Sequence, residues 1–224
     1  FHASLTFMAP RRAALFDMDR TLVRRDTASL FLRYQRDIGE LPAREFLQGA
    51  WWVFLYTLGI GDAPRVAEKA LRRYSGRIEA QLYESCEKWY ESYVRPHVSE
   101  MARRVVGQHQ ADGDVVAIVS GALRFAVRPL ARELGIDHVV CSEVESENGV
   151  LTGRPRQLCF GSSKVELAAS VAAAAGFSLD DATFYSDSIT DLPLLERVRT
   201  PVVVNPDSRL RRVAVLRGWR TERW

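Results

Sequence analysis

Apolar residues fall along this chain in two rhythms. Short unbroken runs stand at residues 13–16 (AALF), 115–119 (VVAIV), 182–185 (ATFY) and 202–204 (VVV). Runs of this length without alternation predict strands buried on both faces, as in a parallel sheet. Elsewhere the spacing is helical. Leu30, Phe31, Tyr34 and Ile38 mark a helix over 26–39, with Gly39 suited to the position just past its end. Helices are expected over 42–59, 62–76 and 78–94, then from Pro96 to a stop at Gly113. Another carries Leu123, Val127, Leu130 and Leu134 before Gly135. Residues 138–145 and 150–154 read as a hairpin across Asn148-Gly149, a dipeptide that accepts the tight turn. Ser162-Ser163 can cap a helix over 164–175, closed by Gly176. A short helix follows over 192–198, and a basic helix ends near Gly218-Trp219.

No cleanly alternating strand interrupts 26–95. This helical insertion of roughly seventy residues joins the first strand after a short turn and reads as a small cap domain over 26–94. Residues 1–25 and 95–224 then form the α/β core domain. Within the insertion, residues 46–60 are uncharged over 15 positions. A transmembrane helix needs about 20, so no transmembrane segment is read. The run is a buried cap helix, an interfacial or oligomer surface, or an apolar wall facing substrate. Trp51 and Trp52 point about 100° apart on a helix, so the second and third readings include contact with a lipid or an apolar leaving group.

Composition narrows the class. The chain has 224 residues, 47% hydrophobic, with 31 basic and 28 acidic residues for a net charge of +3. That balance argues against nucleic acid as a partner. Residues 196–224 hold eight arginines, which read as a solvated helix face. Only Lys69, Lys88 and Lys164 are lysine. Cys86, Cys141 and Cys159 have no metal-type spacing and suggest idle thiols in a reducing cytoplasm. Residues 1–10 hold no long apolar run and so no secretory signal; Met8 is a candidate natural start, after residues 1–7.

Chemistry concentrates where strands end. The first strand runs into Asp17-Met18-Asp19-Arg20-Thr21, and ligands of open α/β sheets bind beyond the carboxyl ends of strands. Two carboxylates so close repel unless a cation or a proton-transfer task holds them. An Asp-rich turn is the plainer reading. The second strand ends in Ser120-Gly121, either a phosphate cradle or an ordinary N-cap serine. Lys164 stands in the first turn of its helix, where the dipole disfavours a cation. It has a specific anionic partner there, or it snorkels into solvent. The strand over 182–185 leads to Asp187, with Asp191 four residues on. If the sheet is parallel, these groups share one edge. A carboxylate-rich cluster beside a phosphate cradle suits Mg²⁺.

Asp17-Met18-Asp19-Arg20-Thr21, then Ser120, Lys164 and Asp187-x-x-x-Asp191, resemble in order and spacing the motifs of the haloacid dehalogenase superfamily. The insertion resembles the cap of its phosphoserine-phosphatase-like branch. The resemblance implies a Rossmann-like parallel sheet with helices on both faces and a mobile helical cap. It implies a hydrolase: a Mg²⁺-dependent phosphatase acting on a small phosphorylated substrate through an aspartyl-phosphate. Asp17 would be the nucleophile and Asp19 the acid and then base. Asp17, Asp187 and the Asp19 backbone carbonyl would hold the metal, with Asp191 on metal water or on Lys164. Ser120, the Gly121 N–H and Lys164 would bind phosphoryl oxygens. Thr21 completes the first motif. Three positions depart from the pattern. Arg20 stands where a small residue is common, and Thr190 where asparagine is frequent. Asp26 stands where a glutamate often meets a substrate amine. The alternatives are a phosphotransferase to an alcohol, or a weakly catalytic relative that binds phosphate or a partner.

Overall fold

The computed structural model describes residues 11–42, 44 and 68–224. Among them, seven strands form one sheet: β1 (Arg11–Phe16), β2 (Val115–Leu123), β3 (His138–Glu147), β4 (Val150–Gln157), β5 (Phe177–Ser186), β6 (Thr200–Val204) and β7 (Arg220–Glu222). Their order is β4-β3-β2-β1-β5-β6-β7. Every neighbouring pair is parallel except β3 with β4. The AALF run explains why β1 lies in the middle. Ala14 and Phe16 feed one buried cluster and Ala13 and Leu15 the other, all at most 2% exposed. A strand with no polar face has nowhere to go but the centre of a covered sheet.

Helices close both faces. α1 (Thr27–Asp37), α2 (Glu79–Trp89), α3 (Glu100–Ala111) and α4 (Arg124–Glu133) bury Tyr34, Trp89, Val106 and Phe125 in the cluster that contains Phe16. α5 (Gly161–Ala175), α6 (Leu192–Arg197) and α7 (Ser208–Arg217) bury Ala168, Leu194 and Leu210 in the cluster that contains Leu15. The chain steps outward from β1 through β2 to β3, then returns to β5 on the other side. The order therefore reverses between β1 and β5, the switch point at which such sheets bind ligands.

Several boundaries differ from the sequence pattern. β2 runs through Ser120-Gly121 to Leu123, because Leu123 pairs with Ser142 beyond a bulge. Ser120 is therefore not the N-cap of α4. α3 starts at Glu100, where the Ser99 hydroxyl accepts from Ala102 N–H at 3.4 Å. Pro96 belongs to a separate 3₁₀ turn, Arg95–His97. α5 starts three residues before Lys164. Ser163 then bonds back toward the turn before it: its Oγ accepts from Phe160 N–H at 3.2 Å and lies 2.8 Å from the Leu158 carbonyl. β7 has no apolar pattern at all. The hairpin turn follows its sequence, with Asn148 at φ 52° and Gly149 at φ 78°, both left-handed.

The insertion meets the core at its connections, along the hairpin and on α4, where Tyr90 Oη donates to Glu133 at 2.8 Å and Tyr83 packs on Phe125. Its two connections pair with each other: Ser99 N–H donates to Leu22 O at 2.9 Å and Arg24 N–H to His97 O at 2.8 Å. Residues 76–79 lie along the hairpin, where Gly76 N–H donates to Leu151 O at 2.8 Å, Leu151 N–H to Arg77 O at 2.9 Å and Glu79 N–H to Gly149 O at 2.9 Å. Of the helix expected over 62–76, residues 68–71 are helical and Arg72–Tyr74 is a 3₁₀ turn. The helix expected over 42–59 falls among the described residues only at 42 and 44. The uncharged run 46–60, Trp51, Trp52 and Met8 lie outside them. Among the described residues no helix is long and apolar enough to cross a membrane.

Gly153 on β4 is a close approach between hairpin and insertion. It sits at φ +75°, and a Cβ there would lie 3.0 Å from Ser75 Cβ and 3.2 Å from Leu71 O. Gly113 has φ +78° but open space around it. Gly113→Ala should cost about 1–2 kcal/mol from backbone strain alone. Gly153→Ala should cost about 1 kcal/mol more, from overpacking. Urea unfolding of both variants checks this; equal losses would mean that the hairpin contact is slack.

Candidate active site

Asp17 continues the β1 ladder: its N–H donates to Tyr185 O on β5 at 2.9 Å. The carboxylate is thus fixed at the switch point and buried, at 7% exposure. The chain then turns back, with Val23 N–H on Met18 O at 2.9 Å. Arg20 completes the turn in the left-handed region, φ 53°. Its departure from a small residue therefore costs backbone strain of about 1–2 kcal/mol and leaves a guanidinium beside the acids. Asp19 projects from this turn and accepts Thr27 N–H, from the first residue of α1, at 2.7 Å.

Lys164 is 3% exposed. Its Nζ donates to Asp17 Oδ1 at 2.9 Å and to Asp191 Oδ1 at 2.6 Å. The anionic partner that its position demands is a pair of carboxylates within the chain. Ser186 Oγ donates to Asp191 Oδ2 at 2.7 Å, so both Asp191 oxygens are bonded. Asp187 is buried beside them at 5% exposure. Ser120 is buried too; its Oγ accepts from Ala122 N–H at 3.2 Å, which leaves the O–H to donate. A Cβ on Gly121 would fall 2.5 Å from the Phe160 ring, so glycine is what lets that ring pack on the backbone there.

One cavity of about 800 Å³ collects these groups. Asp17, Asp19, Ser120, Gly121, Lys164, Asp187 and Asp191 line it, as does Asp26. Asp26 also caps α1, accepting from Ser29 N–H at 2.8 Å. Thr21 does not line the cavity. It is fully buried behind the turn, and its Oγ1 has no hydrogen-bond partner among the described residues. The cavity's apolar wall comes from Phe31, Leu71, Leu82, Trp89, Phe125 and Leu158.

Charge is unevenly spread. Burial raises the Asp17 carboxyl to about 6; Lys164 pulls it down and Asp191 pushes it up. Burial also raises Asp19, to about 7, with Asp26 and Asp17 adding to the rise and Thr27 opposing it. Burial, Asp17 and Asp191 together hold Asp187 well above the usual carboxylate range, against the pull of Arg20. Burial works against the Lys164 ammonium, but Asp17 and Asp191 outweigh it and raise its pKa. The acids exceed the cations that face them. That donor set fits a divalent cation: Asp17 and Asp187 supply hard oxygens and Asp19 a backbone carbonyl. Among the described residues no three His, Cys, Asp or Glu side chains are grouped so as to hold a metal by themselves.

Sequence reading missed the groups that hold these side chains. Ser186, Thr27, Asn205 and Asp207 all bond to site loops. Of these only Asp207 carries a sequence signal, as an N-cap acid before a helix.

A profile of haloacid dehalogenase-like hydrolases matches residues 14–196. A probable phosphatase of Mycobacterium tuberculosis is 32% identical over 212 residues, 93% of this chain and 74% of that protein. A phosphoserine phosphatase of the same species is 31% identical over 217 residues, 92% and 69%. A histidinol-phosphatase of Neisseria meningitidis is 29% identical over 218 residues, 93% and 97%. A Bordetella pertussis protein of unknown function superposes with a TM-score of 0.87 at 32% identity, covering 96% of this chain and 99% of that one. Motifs, sheet order and these likenesses agree: the chain belongs to the haloacid dehalogenase-like hydrolases, on their phosphoserine-phosphatase-like branch.

Proposed function

We propose that this chain is a Mg²⁺-dependent phosphomonoesterase working through an aspartyl-phosphate on Asp17. The observation that carries the reading is the unequal treatment of two neighbouring acids. Asp17 is bonded to a buried ammonium and is the better held in ionised form. Asp19 has no such cation, and burial, Asp26 and Asp17 raise its pKa. Environments that push two carboxyls apart assign base and acid. Asp17 attacks phosphorus, and the bond from phosphorus to the leaving oxygen breaks. Asp19 gives that oxygen its proton, then takes one from the water that attacks the aspartyl-phosphate, which releases phosphate and restores Asp17. Ser120 O–H, Gly121 N–H and Lys164 donate to the phosphoryl oxygens. Asp17, Asp187 and the Asp19 carbonyl would hold Mg²⁺, which when bound offsets repulsion between carboxylate and phosphate dianion. Residues 26–94 act as the cap over this edge. The three buried, unpaired thiols support a cytoplasmic setting.

The cavity bears on the leaving group. The relatives' names point to phosphoserine and to histidinol phosphate, both with an amine close to the ester carbon. Asp26, which lines the cavity, offers negative charge to such an amine. Serine would leave most of about 800 Å³ unfilled. The aromatic wall, with Phe31 and Phe125, suits a flat ring. We therefore place an amino alcohol with a ring ahead of serine.

Three outcomes follow. Asp17→Asn should lower turnover at least about 10³-fold. Asp19→Asn should cost less with p-nitrophenyl phosphate than with an alkyl phosphate, since the phenolate needs little protonation; equal losses would remove Asp19 from the acid role. For substrate choice, kcat/KM for histidinol phosphate should exceed that for phosphoserine by at least about tenfold. A preference for phosphoserine would overturn the assignment.

A further outcome concerns pH and metal. Carboxyls raised from 3.8 to about 6 and 7 in the folded chain bind protons more tightly folded than unfolded. Their contribution to stability therefore falls as pH rises from about 4 to 7. The melting temperature of the metal-free protein should drop between pH 5 and 7.5, and Mg²⁺ should raise it at pH 7.5 by at least about 2 °C. Asp187→Asn should flatten the drop and remove the Mg²⁺ response. A metal response that survives in Asp187→Asn would move the metal elsewhere.

A further inference from the structure

We infer that the turn Asn205-Pro206-Asp207 is a positioning clamp that fixes the two acid-bearing loops relative to each other. The inference rests on the reading of the site given above and concerns residues that make none of its proposed chemical contacts. Asn205 ends β6 in the left-handed region, φ 44°. Its side-chain Nδ2 donates to Arg20 O at 3.1 Å and to Trp224 O at 3.4 Å, and its Oδ1 accepts from Trp224 N–H at 3.0 Å. Only this orientation of the amide works, because a flip would set its oxygen against two carbonyls. Its own N–H donates to Glu222 O at 3.0 Å. One residue thus ties the peptide between Asp19 and Thr21 to residues 222–224.

Asp207 does the same for the second loop. Its N–H donates to Asp187 O at 2.9 Å. One carboxylate oxygen accepts from Ile189 N–H at 2.7 Å, and the other caps α7 through Arg209 and Leu210 N–H at 2.8 and 2.9 Å. Pro206, buried between them, fixes its own φ and removes a donor. Trp224 covers the far side: its ring lies 5.4 Å from Tyr185 and 6.4 Å from Phe16, the residues just ahead of the two acid loops. The strained Arg20 peptide needs an outside partner to stay left-handed, and Asn205 is that partner.

The test uses Asn205→Gly, which keeps the left-handed backbone and removes only the amide. Hydrogen exchange of the Val23 amide, bonded to Met18 O within the first loop, should accelerate by about tenfold while the β1 amides stay unchanged. Alkyl phosphate turnover should fall by about tenfold or more, as expected for a displaced acid, with KM little changed. In an Arg20→Gly background, where the turn needs no clamp, the same substitution should cost under about threefold. Unchanged exchange at Val23 overturns the clamp, and so do additive losses in the two backgrounds. If wild-type protein hydrolyses no phosphomonoester, the functional reading fails and exchange alone decides the clamp. Should Asn205→Gly not fold, Asn205→Asp replaces the donor to Arg20 O with a repelling oxygen, and exchange at Val23 should then accelerate by more than about tenfold; unchanged exchange overturns the clamp.

Discussion

Everything at this site depends on one buried ammonium. Lys164 Nζ lies between Asp17 and Asp191 with almost no water, in a region that also holds Asp187 and Asp19. Removing one member of such a group would strand a charge in low dielectric, at a cost of several kcal/mol. The arrangement persists because its members stand on elements that cannot yield. Asp17 ends a strand buried on both faces, Asp191 is bonded through both oxygens, and Lys164 rises from a helix packed on the same sheet. The unfavourable dipole at the start of α5 is thereby outweighed by two carboxylates within hydrogen-bond reach. What remains is an excess of carboxylates over the ammonium between them, and the metal and proton-donor roles proposed above rest on that excess.

The parts of this fold that the sequence made legible are those where burial and chemistry coincide. AALF followed by two aspartates could be read because a doubly buried strand has no polar position until it ends. Asn148-Gly149 was legible because few dipeptides accept two left-handed residues. Lys164 stood out by its place in a helix, although its partners could not be named without the sheet order. The extension of β2 to Leu123 was hidden, because a bulge breaks periodicity and Ser-Gly also starts helices well. β7 was hidden too: it is a short edge strand held by main-chain bonds and the Asn205 side chain, so its residues need not be apolar.

Arg20 shows how a departure from pattern can be absorbed. A glycine would adopt φ 53° without strain, so an arginine there shifts the burden to whatever holds its carbonyl. That burden falls on Asn205, whose number gives no hint of nearness to residue 20. Long-range polar bonds of this kind leave no periodic trace, and reading them requires the register of β6 against β5 and the placement of residues 220–224.

The docking of the insertion sets terms for access to the cavity. Its two connections are paired through Leu22, Arg24, His97 and Ser99, which makes a narrow ribbon able to bend without losing hydrogen bonds. On the other side, residues 76–79 share three main-chain bonds with the hairpin, and Gly153 lets residues 71–75 approach as closely as backbone allows. A movement that separates insertion from hairpin must break those bonds and expose their donors. A movement that carries the hairpin along breaks none of them. The insertion is also held on α4, where Tyr90 Oη donates to Glu133 at 2.8 Å and Arg132 pairs with Glu87, so either movement must carry those contacts along or break them too.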